Sequence, residues 1–102
     1  MKPLLLFQFA SLVLLGAGLA GLATRRTLVG MLIAVELLLN GAGLSIVAAS
    51  QLTDSDAALG QLATLLVMGL AAAEATLVLA IIVVVFRRFG SARTDDLATL
   101  RE

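Results

Sequence analysis

The stretch Gly30–Gly43, GMLIAVELLLNGAG, decides how this chain is read. It carries one charge, Glu36, and no other charged residue lies within nine positions on either side. Water is therefore distant along the chain, and a carboxylate here sits on a helix destined for lipid or for the interior of a membrane protein. On insertion scales a central acidic residue costs roughly 2.5–3.5 kcal/mol, while each Leu, Ile or Val returns about 0.3–0.6. The eleven such residues from Leu28 to Ala48 return on the order of 3–6 kcal/mol. The helix inserts with Glu36 aboard, but most of its margin is gone. An ionisable group where Leu would serve marks a functional position.

The remaining composition agrees. Of 102 residues 61% are hydrophobic and 14% charged, with mean hydropathy +1.11. A soluble core cannot hide that apolar fraction in so short a chain, so the chain is an integral membrane protein of one domain, residues 1–102. Net charge is zero, which leaves no basic surface for nucleic acid. There is no Cys and no His, which removes disulfides, thiolate chemistry and the commonest metal and haem ligands. With no Gly-rich phosphate loop either, no cofactor is expected in this chain.

Three spans follow in order. Residues 3–24 carry no charge, long enough to cross a bilayer. Lys2, the apolar run and the small residues near Gly21 and Ala23 also fit a signal peptide, but Arg25 and Arg26 hold that end at the membrane surface and favour a retained span. Its second half, GAGLAGLA, offers the small-xxx-small pairs Gly16/Ala20 and Ala17/Gly21 for helix packing. The second span covers about 27–49, and Asn40 lies one turn beyond Glu36 on the same face, with Gly43 and Val47 continuing the line. Lipid offers such a polar stripe no partner, so it should face protein or water; helix glue is the favoured reading for Asn40 but only the alternative for Glu36. After the polar connection 50–57, with Asp54 and Asp56, the third span covers about 58–86 and exceeds the minimum length. Glu74 sits near its middle among Ala71, Ala73 and Ala75, with Thr64 and Met68 in the same sector. Arg87 and Arg88 end the span, and the tail 87–102 is mixed in charge, with Thr94 placed to cap a short turn through Asp95, Asp96 and Leu97.

The fold class expected is therefore an all-α membrane protein of three transmembrane helices. Six of the seven basic residues fall in the first connection and the tail, leaving Lys2 alone on the other side. By the positive-inside rule the N-terminus faces out and the C-terminus the cytoplasm, with Glu36 slightly to the cytoplasmic side of the midplane. Removal from water penalises the charged form of a carboxyl. With Arg26 ten residues away, no cation inside the spans offsets that penalty, so Glu36 and Glu74 are suited to take up and release a proton. Three helices cannot wall off a proton path from lipid, so both are expected to face a partner subunit.

The run TRRTLVGMLIAVELLLN (Thr24–Asn40), a polar loop, LAAAEATLVLA (Leu70–Ala80) and a terminal Arg pair resemble the K-type small membrane subunits of respiratory complex I, the proton-pumping NADH:quinone oxidoreductase. The resemblance covers almost the whole chain. It implies that Glu36 and Glu74 belong to a polar axis of proton-relaying residues along the membrane arm, and that Arg25 and Arg26 match the family's first-loop arginines. Thr27 stands where many relatives have Asn. It further implies that quinone, flavin and iron–sulfur clusters belong to partner subunits, that the partners include antiporter-like membrane subunits within the lipid bilayer, and that the setting is a bacterial inner membrane or an equivalent energy-transducing membrane. The related C-type subunit of multisubunit cation/proton antiporters generally lacks the paired membrane glutamates. A rotor-ring subunit normally has two helices, a small multidrug exporter four, and a purely structural assembly subunit is the remaining alternative.

Overall fold

Where the chain leaves each apolar run, it changes direction. The computed structural model describes residues 2–90 and Thr94, and its helices are α1 (Pro3–Thr24), α2 (Leu28–Gln51) and α3 (Ala57–Phe89). All three are long and apolar enough to cross a membrane. Pro3 occupies the first turn of α1, where its missing N–H costs nothing. Thr27 caps α2, its hydroxyl accepting from the Gly30 N–H at 3.0 Å, a task Asn performs equally well. Asp56 caps α3 by accepting from the Ala58 and Leu59 N–H groups at 3.0 and 3.1 Å. At the far end Arg87 and Arg88 fill the last turn of α3, and Gly90, at φ 72°, closes it in the left-handed conformation.

The middle helix in sequence is also the middle helix in space. α2 packs against both α1 and α3, which make no comparable contact with each other. The α1–α2 seam is built from small residues at heptad spacing: Ser11 and Gly18 on α1, Ala34, Gly41 and Ala48 on α2, all buried. A Cβ on Gly18 would lie 2.8 Å from the Ala34 carbonyl oxygen, and one on Gly41 3.0 Å from that of Ser11. Close backbone approach is what small residues supply between membrane helices, where dispersion replaces the hydrophobic effect. The expected pairs Gly16/Ala20 and Ala17/Gly21 do not make this seam. Gly16, Ala17 and Ala20 are exposed and a Cβ on Gly16 would meet nothing within 4 Å among the described residues, while one on Gly21 would lie 3.1 Å from the Ala34 Cβ. The seam runs through Ser11 and Gly18, which lie on the opposite side of α1 from Gly16.

The α2–α3 seam uses a different face of α2. Ser50 presses on Gly60, and Gly43 faces Thr64 and Val67; on α3 the buried positions Gly60, Ala71 and Ile82 recur every eleven residues, three turns of a straight helix. With 33 residues α3 is about 50 Å long, well beyond a hydrocarbon core of roughly 30 Å. Because its start is pinned beside the end of α2, the excess extends past the start of α2, at the arginine end. Three hydroxyls inside the spans turn back onto their own helices: Ser11 donates to Phe7 O, Thr64 to Gly60 O and Thr76 to Ala72 O, at 2.8–2.9 Å. Each of these three donors is thereby satisfied within its own helix. The backbone N–H of Thr94 donates to the Arg26 carbonyl at 3.0 Å, tying the tail to the first connection. The turn expected at Asp95, Asp96 and Leu97 lies outside the described residues.

Candidate functional site

Glu36 belongs to the α3-facing seam. It lies one heptad before Gly43 and two before Ser50, so the same edge of α2 carries all three. On antiparallel α3, stepping by heptads from Gly60 leads through Val67 to Glu74. The two acidic residues of the spans therefore sit at the same level of the α2–α3 pair, a relation fixed by the Ser50–Gly60 contact at its end.

Their surroundings differ. Glu36 is half-buried, and its Oε1 is shut off from the surface without any hydrogen-bond donor among the described residues. A buried acceptor left unpaired costs about 1–3 kcal/mol, more if charged. Glu74 is exposed on the surface of the three-helix unit. It borders a groove of about 190 Å³ whose other walls are Leu22, Leu28, Met31, Leu32, Val35 and Val78. That groove draws on all three helices, and its α2 wall includes Val35, the neighbour of Glu36. Asn40, expected to share the Glu36 face, is exposed. Gly43 is buried at α3, and Val47 lines a second groove with Gln61, Thr64 and Leu65. The polar stripe thus divides: Glu36 is half-buried, Asn40 exposed.

Arg25 and Arg26 are both exposed in the tight connection before α2. The stem of Arg25 crosses the start of α2 at Gly30, where a Cβ would lie 3.0 Å from the Arg25 Cβ. Arg26 gives its carbonyl to Thr94. The arginines lie at one end of the unit and the glutamates at mid-span, so the structure does not bring the two sets together.

Two polar residues outside these expectations form a reciprocal hydrogen-bonded contact between helices. Gln8 Nε2 donates to the Ser45 carbonyl at 3.1 Å, and Ser45 Oγ donates back to Gln8 Oε1 at 2.6 Å. This reciprocal pair bridges α1 and α2 with donors and acceptors matched. Its signal in the sequence is the amide of Gln8 inside an otherwise apolar run, which has no solvated role there. Among the described residues no group of three or more acidic side chains is placed to hold a metal ion.

Comparison with known proteins gives a consistent answer. The sequence profile of the family described as NADH-ubiquinone/plastoquinone oxidoreductase chain 4L matches residues 6–102. The NADH-quinone oxidoreductase subunit K 1 of Syntrophobacter fumaroxidans is 45% identical over 101 residues, covering 99% of each chain. Subunit K from Deinococcus radiodurans is 43% identical over 99% of this chain and 96% of its own. The chloroplastic NAD(P)H-quinone oxidoreductase subunit 4L of Staurastrum punctulatum is 39% identical over 82% of this chain and 84% of its own.

Proposed function

The chain belongs to the NADH-quinone oxidoreductase subunit K (chain 4L) family, and from that premise we propose that its Glu36 and Glu74 relay protons within the membrane arm, coupling quinone reduction to proton translocation. The observation that carries the reading is the Glu36 carboxyl: one oxygen enclosed at mid-span, with no hydrogen-bond donor among the described residues. A group held purely as helix glue would be expected to have its bond made. Glu74 stands at the same level with its carboxyl on an open groove, where a water chain or a neighbouring subunit can reach it. Water bridging the two would let a proton held at Glu36 leave through Glu74. Asn40, on the outward edge, then meets another subunit.

The same reading places the redox groups and quinone in partner subunits, with antiporter-like membrane subunits among them. It sets the N-terminus and Asp54 outside and the arginine end at the cytoplasmic face, or its organellar equivalent. An impermeant maleimide should label Asp54→Cys from the outer face only, in a chain with no cysteine of its own.

The direct test is Glu36→Gln in the assembled complex. It keeps shape and hydrogen bonding but cannot lose a proton. The expected result is normal assembly with most quinone reductase activity and proton pumping lost. Pumping at the unmodified rate would leave Glu36 a packing residue.

A further inference from the structure

The overhang of α3 creates a second feature, remote from the glutamates. Between the start of α2 and the end of α3 lies a groove of about 530 Å³, lined by Thr27, Val29, Ile82, Val83, Phe86 and Arg87. Its volume falls in the usual small-ligand range of roughly 300–1,000 Å³. Ile82 is buried and forms its floor, while Val29, Val83 and Phe86 stand about half exposed along its sides. Arg87, in the last turn of α3, supplies its charged end. The exposed Arg25, Arg26 and Arg88 belong to the same end of the unit, whereas Asp54 and Asp56 sit in the α2–α3 connection at the opposite end.

An apolar groove with Arg87 in its lining, at the end of a candidate span, matches an amphiphile with a hydrocarbon tail and an anionic head. Arginine recognises phosphate through paired N–H donors, and basic pockets between transmembrane helices favour anionic headgroups. The groove extends over residues 82–87 of α3, less than two turns, which suits a portion of an acyl chain better than a docking helix. We propose that it holds one acyl chain of an anionic phospholipid whose phosphate is bound by Arg87. The site is independent of the proton relay and stands or falls separately.

The test uses the assembled complex in vesicles with photoactivatable phosphatidylglycerol or phosphatidylcholine, each carrying a diazirine in its acyl chain. The α3 peptide containing Ile82–Phe86 should be labelled about fivefold more by the anionic lipid, the factor for one cation near an anionic membrane surface. Arg87→Gln should abolish that preference and Arg87→Lys keep most of it. Val83→Phe, which fills the groove, should lower labelling by both lipids. Should a variant fail to assemble, competition in the unaltered complex decides: unlabelled phosphatidylglycerol must suppress labelling several-fold better than phosphatidylcholine. Equal labelling or equal competition by the two lipids, a preference that survives Arg87→Gln, undiminished labelling in Val83→Phe, or photocrosslinking of the groove to a neighbouring polypeptide instead of lipid would each overturn the proposal.

Discussion

Ser50 and Gly60 meet so closely that a Cβ placed on Gly60 would lie 1.9 Å from the Cβ of Ser50 and 2.0 Å from its Oγ. This contact locks the register of α2 against α3 and, through two heptads, sets Glu36 level with Glu74. Gly60→Ala cannot be accommodated without parting the helices. Overpacking of this kind costs about 1–3 kcal/mol. Reduced thermal stability or yield of the assembled complex should follow, with activity per assembled complex also lowered, because the glutamates lose their common level. Ser50→Gly in the same chain removes the opposing atoms and should restore much of both, which a double-mutant cycle measures.

The Gln8–Ser45 pair yields a second cycle. Gln8→Leu strands the Ser45 hydroxyl and Ser45→Ala strands the Gln8 carbonyl oxygen. Hydrogen bonds between membrane helices average about 0.6 kcal/mol and reach about 1.7, and a reciprocal pair belongs near the upper figure. Each single change should destabilise the α1–α2 association by up to that amount in a denaturation or assembly assay. The double variant should cost less than the two singles added, and strict additivity would show that the pair is not energetically coupled.

Relocating the carboxyl probes the faces of α2. In a Glu36→Ala background, Asn40→Glu puts the group one turn along, and Leu32→Glu puts it on the wall of the groove that Glu74 borders. Either should recover part of the pumping if water bridges the gap. Leu38→Glu should recover none, because Leu38 packs over Gly18 on the α1 seam; it should also impair assembly. Recovery from position 38 equal to that from 32 would show that the face is immaterial.

Glu74 is the more accessible carboxyl, so Glu74→Gln should lower pumping less than Glu36→Gln does. Water entering the open groove can replace a missing relay group there, whereas an enclosed position has no substitute. Pumping rates in vesicles containing each assembled variant provide the comparison. A larger loss at Glu74 would reverse the roles assigned to the two.

Changing both Arg25 and Arg26 to Ala should reduce assembly or activity, and a single Arg→Lys should do less, since topology depends on charge. Arg25 has the additional task of laying its stem across Gly30, which Lys also manages. Full assembly and activity of the double Ala variant would reduce the pair to a replaceable topology signal.

Much of this protein was legible without coordinates. Apolar runs of spanning length, broken by Arg25–Arg26 and by the polar stretch around Asp54, dictate three helices, because lipid tolerates no unsatisfied backbone. Glu36 and Glu74 are conspicuous for the same reason: in such runs every charge is an exception. The surplus length of the third run was equally plain. What no pattern revealed was which faces meet. A membrane helix is apolar all round, so periodicity does not mark its buried side as it does in water. Gly16, Ala17 and Ala20 looked as suited to packing as Gly18 and Gly21, yet they are exposed while Gly18 and Gly21 meet α2, because the seam follows the heptad line through Ser11. Asn40 shares a helix edge with Glu36, but that one is half-buried and the other exposed depends on how the helices pack. The Gln8–Ser45 bond joins residues 37 apart in sequence. The level shared by the two glutamates rests on a contact between Ser50 and Gly60 that only close packing of α2 and α3 decides.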